Sequence, residues 1–213
     1  MLLTAADLSF GYGDQRVLSA TSISIRAGER IALLGANGAG KSTLLQALAG
    51  QIDAGPVACG GRIIDVPQEA DLTLFCATVR DELAYGPRES RRSVEEVERR
   101  VNAAASALNV ASLLAEPPQG LSKGQRVRVA VAAALACLPE VLILDEPTIG
   151  QDRAQCDPMF EGLACHMQHG ALIFATHDRR LARAHATRIW EMDGGRIIRD
   201  CAPGTLDDAE AAR

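Results

Sequence analysis

The sequence predicts an α/β fold built around a parallel sheet, on three observations. Two short apolar runs, VLILD at residues 141–145 and ALIFATH at 171–177, are continuous, as strands covered on both faces should be. Stretches of helical periodicity alternate with them, as crossovers between parallel strands require. A glycine-rich loop, GANGAGKST at 35–43, follows RIALL and precedes LLQALAG, so it joins a strand to a helix.

The elements follow in order. LLTAADLSF (2–10), ATSISIRAG (20–28), RIALLG (30–35) and RIIDVPQ (62–68) combine alternation with β-branched residues and read as strands. From Ser93 the pattern becomes helical, with Val94, Val97, Val101 and Leu108 on one face and Ser93 with Glu96 as a capping box. Glu95–Arg99 and Glu96–Arg100 have the spacing of helical ion pairs. AEPPQG at 115–120 breaks the chain, and LSKGQRVRVA at 121–130 opens another helix, its Ser122 and Gln125 forming a second capping box. Several backbone N–H groups then gather near Ser122, an arrangement suited to an anion, with a plain helix cap as the competing reading. RIWEMDGGRIIRD at 188–200 is two strands about an Asp193-Gly194-Gly195 turn, and PGTLDDAEAAR at 203–213 reads as a short tail.

Composition narrows the class. A chain of 213 residues with 47% hydrophobic content supports a large buried core, and a net charge of −5 lacks the basic excess of a protein that coats nucleic acid. The longest apolar stretch, VAVAAALACL at 129–138, is too short to span a bilayer, and the first ten residues lack the regions of a signal peptide. A cytoplasmic protein is expected. Six cysteines without C-x-x-C spacing indicate neither a disulfide framework nor a zinc site. Cys165, His166 and His169 share part of a helix face, which reads as a solvated surface before it reads as a metal site.

Residues 35–43 fit G-x-x-x-x-G-K-[ST], whose glycines let backbone N–H groups surround phosphate oxygens. Lys41 then reaches the β- and γ-phosphates, and Ser42 offers its hydroxyl to Mg²⁺. VLILDEP puts Asp145 at the carboxyl end of a buried strand, where it can hold the Mg²⁺ shell, and Glu146 beside it can polarise a water aimed at the γ-phosphate. His177 ends the next buried strand and approaches the same sheet edge; a structural or solvated histidine is its other reading. Gln68 is uninformative alone. Tyr12, in a chain with 3% aromatic residues, suits either stacking on a base or packing at a turn.

In order and spacing, Tyr12, the phosphate loop, Gln68, LSKGQ, LDEP, TIGQD and His177 resemble the ATP-binding-cassette (ABC) ATPases, from Leu2 to about Ile198. The resemblance implies a P-loop NTPase: a RecA-like core with an antiparallel β subdomain plus an inserted α-helical subdomain. Residues 1–213 would form a single ABC ATPase domain, with 1–70 and 132–213 as nucleotide-binding core and 71–131 as helical subdomain. It implies that Tyr12 stacks on adenine and that Gly35, Asn37, Gly38, Ala39, Gly40, Lys41, Ser42 and Thr43 hold the phosphates of ATP. Ser42, Gln68 and Asp145 would attend Mg²⁺, and Glu146, His177, Gln68 and Lys41 would carry catalysis. Ser122, Gly124 and Gln125 would face the γ-phosphate bound by a second ABC ATPase subunit in a head-to-tail homodimer or heterodimer, and TIGQD would be the loop at that interface. The chain departs from the family's LSGGQ at Lys123, which would add positive charge near the nucleotide or the interface.

PQEADLTLFCATVRDELAYGP at 67–87 is similar to the corresponding region of energy-coupling-factor ATPases, which power uptake of vitamins and of cobalt or nickel ions. That likeness implies peripheral attachment to the cytoplasmic face of the membrane through integral-membrane transporter subunits, docked near the apolar LTLFCATV at 72–79, and no direct nucleic-acid binding. An exporter or a non-transport complex for DNA repair or regulation is the alternative. A DNA-repair ATPase would need a long coiled coil between the phosphate loop and residue 121, for which there is no room. The stretch between Gly50 and Gln68 is shorter than the family norm, and no added regulatory domain is expected after Arg196.

Overall fold

The computed structural model describes residues 1–151 and 153–206. Strand β1 (Leu3–Tyr12) turns back into β2 (Gln15–Ile25), and β3 (Arg30–Leu34) leads through the phosphate loop into helix α1 (Lys41–Leu48). Strands β4 (Val57–Cys59) and β5 (Ile63–Val66) follow, then helices α2 (Val79–Glu89), α3 (Val94–Ala107) and α4 (Lys123–Ala136). The chain continues through β6 (Val141–Asp145), α5 (Arg153–His166), β7 (Ala171–Ala175), α6 (Arg179–His185), β8 (Arg188–Asp193) and β9 (Arg196–Cys201).

These strands make two sheets. The larger has the order β5-β6-β7-β3-β8-β9 and is parallel except for β9, which returns antiparallel to β8. The smaller is antiparallel, in the order β2-β1-β4. The parallel strands split their side chains by the period of two that a pleat imposes. Ala32 and Leu34 of β3, Leu142 and Leu144 of β6, and Leu172 and Phe174 of β7 join one core with α2 to α5. Ile31, Leu33, Val141, Ile143, Ala171 and Ile173 join the other with α1 and the antiparallel sheet. Both faces are thus covered, which explains why β6 and β7 read as unbroken apolar runs. Helix α4 is buried on nearly every side from Val127 to Ala136, so its polar and apolar positions show little periodicity.

The predicted fold class holds, with local differences. Strand β4 is not legible in the sequence: Val57 and Cys59 are only half-buried, and three residues are too few for a pattern. Strand β2 begins at Gln15, earlier than its alternation suggests, because it pairs with β1 across a bulged ladder. Helix α3 starts at the expected cap, with Ser93 Oγ accepting from the Glu96 N–H at 3.3 Å. Val94 does not share its buried face, being 75% exposed; Ala104 and Ala105 fill the space beside Val97, Val101 and Leu108. The ion pairs also differ from the expected set. Glu96 holds both Arg99 and Arg100, the latter at 2.6 Å, while the Glu95 carboxylate turns back to its own backbone N–H and to Ser93. All six cysteines are free thiols. No helix among the described residues is long and apolar enough to cross a membrane.

Candidate active site

Parallel strands place their carboxyl ends on one edge of the sheet, and the loops after β3, β5, β6 and β7 therefore open on common ground. They enclose a pocket of about 520 Å³. Its lining brings together Asn37, Gly38 and Gly40 from the first loop, Lys41, Ser42 and Thr43 from the start of α1, Gln68 after β5, Asp145 at the end of β6 with Glu146 after it, and His177 after β7.

The phosphate loop has its shape because side chains cannot enter it. A Cβ on Gly40, whose φ is +100°, would stand 2.9 Å from the Val17 carbonyl oxygen, and one on Gly35 would stand 2.5 Å from the Met192 carbonyl oxygen. Gly40 is the residue before α1, and no side chain caps that helix, so its first N–H groups face the pocket. Lys41 lies buried beneath the loop and donates from Nζ to the Gly35 and Ala36 carbonyls at 2.8 and 3.2 Å. An ammonium has three donors, so the third remains for a phosphate oxygen. Clustered N–H groups, a helix N-terminus and one cation at the mouth of a pocket form an anion cradle.

Opposite the cradle stand the carboxylates. Asp145 is the last residue of β6. Glu146 follows with φ +49°, a left-handed conformation that costs a residue other than glycine about 1–3 kcal/mol. Its N–H donates to the Ala175 carbonyl at 3.1 Å, which ties the strained residue to the end of β7. Its Oε2 is 3.2 Å from His177 Nδ1. Burial pushes the Glu146 carboxyl above the ordinary carboxylate range; His177 and the Lys41 ammonium oppose that rise, and Asp145 adds to it. A carboxyl with a raised pKa at the edge of a phosphate site suits proton abstraction from water.

Other predicted site residues stand elsewhere. Gly35 and Ala39 form the back of the loop rather than the pocket lining. Tyr12 is 57% exposed and packs edge-on against Phe10, with ring centroids 5.1 Å apart, outside the lining. Ser122, Gly124 and Gln125 also lie outside it. Their capping box is complete: Ser122 Oγ accepts from the Gln125 N–H at 3.3 Å, and Gln125 Oε1 accepts from the Ser122 N–H at 2.9 Å. Asp152, in the TIGQD loop, lies outside the described residues, as do residues 207–213 of the expected tail. His166 Nδ1 faces the Gly162 carbonyl at 3.0 Å, and the described residues hold no group of three ligating side chains suited to a metal. The sequence reading missed Gln15, Val17 and Ile149, which complete the lining. Gln15 and Val17 belong to no motif, and Ile149 lies in TIGQD, which the family resemblance assigns to an interface rather than to this pocket; they are there because β2 and the loop after β6 pass the cradle.

Strand-loop-helix architecture, anion cradle and facing carboxylates define a P-loop nucleotide-binding domain. Residues 18–149 match the ABC transporter family, and the chain belongs to it. It is 38% identical to the cobalt import ATP-binding protein CbiO of Rhodobacter capsulatus, over 96% of this chain and 80% of that one. With the energy-coupling factor transporter ATP-binding protein EcfA of Methanocaldococcus jannaschii it shares 34% identity, over 100% of this chain and 83% of the relative. The solved structure of cbiO1 from Clostridium perfringens, described as part of the ABC transporter complex cbiONQ, superposes with a TM-score of 0.84 at 30% identity, covering 95% of this chain and 88% of that one. Two chains named as ABC transporter ATP-binding proteins, from Methanosarcina acetivorans and Methanosarcina mazei, are 39% and 38% identical over 93% of this chain, which spans about a third of their length (33% and 36%).

The contact between His177 and Glu146 predicts a directional response. In a carbon-13 side-chain titration, the Glu146 carboxyl should lose its proton at higher pH than an exposed glutamate. Substituting His177→Ala removes a group that holds this pKa down, so the titration should move to still higher pH. A Glu146 titration unmoved by His177→Ala would mean that the two groups do not interact in solution.

Proposed function

We propose that the chain binds and hydrolyses ATP as the ATP-binding subunit of an energy-coupling-factor type importer. The observation that carries this reading is the convergence of Lys41, Ser42, Gln68, Asp145, Glu146 and His177 on one pocket. The relatives named CbiO and EcfA support the transporter class.

In this reading Gly38, Gly40, Lys41, Ser42 and Thr43 bind the β- and γ-phosphates, and Lys41 offsets their charge. Gly35 and Ala39 keep the loop in shape behind them, Asn37 closes it above, and Tyr12 stacks on the base. Ser42, Gln68 and Asp145 supply hard oxygen donors beside the cradle, the donor set that Mg²⁺ prefers, so the residues fit that ion. Bound there, Mg²⁺ would neutralise charge on the β- and γ-phosphates. Glu146 accepts the proton of the attacking water, and its raised pKa makes it a stronger base for that transfer than an exposed carboxylate. His177, hydrogen-bonded to Glu146, orients that carboxylate.

Ser122, Gly124 and Gln125 are given to a second copy's nucleotide. Ser122 is exposed at the start of α4, away from its own chain's pocket, with its N–H groups gathered by a finished cap. Two copies or two related subunits, head to tail, would each complete the other's site. Residues 1–70 and 132–213 act as the core and 71–131 as the arm that presents Ser122, the division falling within α4.

The docking surface for the membrane subunits is the segment after Gln68. Leu72 is 74% exposed and Phe75 64% exposed, and Phe75 meets the exposed Tyr85 of α2 edge-on at 4.9 Å. Buried Glu82 fixes this segment from below, accepting from the Phe75 and Cys76 N–H groups at 3.1 and 2.8 Å. An apolar patch held rigidly at the surface marks an interaction site. Attachment to the cytoplasmic face of the membrane through integral-membrane partners follows.

Two measurements check the reading. Glu146→Gln should keep ATP binding and slow hydrolysis by about 10²–10⁴-fold, the usual contribution of a general base; turnover at the unaltered rate would remove Glu146 from the mechanism. Phe75→Glu should abolish copurification with the membrane subunits while ATP hydrolysis by the isolated chain stays near the unaltered rate. Loss of that hydrolysis would show that Phe75 supports the fold rather than docking.

A further inference from the structure

The signature segment carries a lysine where the family it resembles carries glycine, and the packing around it is specific. The first turn of α4 sits directly on the loop that follows β6. A Cβ on Gly124 would stand 2.7 Å from the Gly150 carbonyl oxygen and 3.0 Å from Gln151 Cγ, so at Gly124 the helix backbone lies directly against the loop. From the other side, a Cβ on Gly150 would stand 3.3 Å from Lys123 Cγ and 3.5 Å from Lys123 Cβ and Cδ. Lys123 and Gly124 therefore straddle Gly150, one with its methylene stem and one with its bare backbone.

That loop is a short hydrogen-bonded unit. The Ile149 N–H donates to the Glu146 carbonyl at 3.3 Å and the Gln151 N–H to the Thr148 carbonyl at 3.1 Å. Gly150 turns it with φ +77°. Ile149 lines the nucleotide pocket, so whatever holds Gly150 also holds a wall of the site. Among the described residues, no hydrogen bond from the nearby polar groups fastens the seam. Gln151 directs its Nε2 to the Pro147 carbonyl, 2.8 Å away on its own side. Gln151 Oε1, and Arg128 Nε one helical turn beyond Gly124, are buried and find no hydrogen-bond partner among the described residues. Packing is left to carry the contact. A lysine suits that task, since its four methylenes can cover a surface while the ammonium stays in water.

We propose that Lys123 is a positioning residue: its stem, and not its charge, clamps the arm-bearing helix α4 to the loop after β6 and so holds Ile149 in the pocket wall. The clamp joins the segment that serves the partner's nucleotide to the loop beside the chain's own. Its consequence for turnover rests on the ATPase reading above; the clamp itself does not. Glycine at position 123 supplies no stem, so the lysine makes this joint stiffer than the sequence LSGGQ would.

Two variants separate stem from charge. Lys123→Met keeps an unbranched apolar stem and removes the ammonium, whereas Lys123→Ala removes both. Amide hydrogen exchange in the nucleotide-free chain reads the loop directly. In Lys123→Ala the Ile149 and Gln151 amides should exchange about three- to tenfold faster, the range expected for losing one or two partly buried methylenes. Lys123→Met should exchange like the unaltered chain. In steady-state assays Lys123→Ala should lower kcat with KM for ATP unchanged, and Lys123→Met should restore kcat. Impairment of Lys123→Met equal to that of Lys123→Ala would assign the effect to the ammonium and overturn the proposal, as would unchanged exchange in Lys123→Ala. An unaltered chain without ATP turnover would count against the proposed function alone, because the exchange measurement needs no ATP.

Discussion

Much of this structure depends on one backbone junction with no room for side chains. The phosphate loop, the start of β2 and the turn between β8 and β9 meet there. Gly195 donates its N–H to the Ala39 carbonyl at 3.0 Å and accepts from the Ser19 N–H at 3.0 Å, so it bonds both the loop and the antiparallel sheet. A Cβ on Gly195 would stand 2.2 Å from the Val17 carbonyl oxygen, and the same oxygen bounds Gly40. The cradle is thus shaped from outside as well as by its own glycines. Through this junction the antiparallel sheet is part of the nucleotide site, contributing Gln15 and Val17 to its wall.

The sheet supplies the second constraint. Because β3, β6 and β7 are parallel neighbours, cation, carboxylates and histidine reach one edge without any long loop having to fold back. Glu146 shows what that placement costs. Its left-handed backbone and desolvated carboxyl are both unfavourable, and its N–H bond to Ala175 and contact with His177 offset part of that cost. Strain and a perturbed carboxyl coincide at one residue of the pocket lining. The helices between β5 and β6 add no group to this pocket; Ser122 stands exposed outside it, its helix cap complete.

How much was legible in the sequence follows from what each residue responds to. The buried strands and the phosphate loop were readable because their patterns are local: continuous apolar runs, and glycines at fixed spacing around Lys41 and Ser42. The helix caps at Ser93 and Ser122 were readable for the same reason: the box at Ser122 is complete, while at Ser93 only the Oγ–Glu96 N–H half forms, the Glu96 carboxylate going to Arg99 and Arg100 instead. Gln15 and Val17 were not, since nothing in their neighbours records that a distant loop will pass beside them; Ile149 sits in the named TIGQD segment, but the motif does not say which of its side chains turns to the pocket. Val94 misled because helical spacing gives the direction of a side chain but not whether another element covers it; here none does. Glu95 misled because a free N–H at a helix start competes for its carboxylate with an arginine one turn on. The clamp at Lys123 was invisible in sequence, depending on a close approach between Gly124 and Gly150 that only tertiary packing creates.

The central claim is that each nucleotide site is composite, the cradle of one copy completed by the Ser122 helix of another. Mixing two inactive chains tests it most directly. Lys41→Ala destroys a chain's own cradle, and Ser122→Arg blocks the helix start that it offers. Each alone should have no working site, whereas the mixed pair has one in which an intact Lys41 faces an intact Ser122. The account predicts ATP hydrolysis recovered on mixing. No recovery, with the two chains shown to associate, would contradict it.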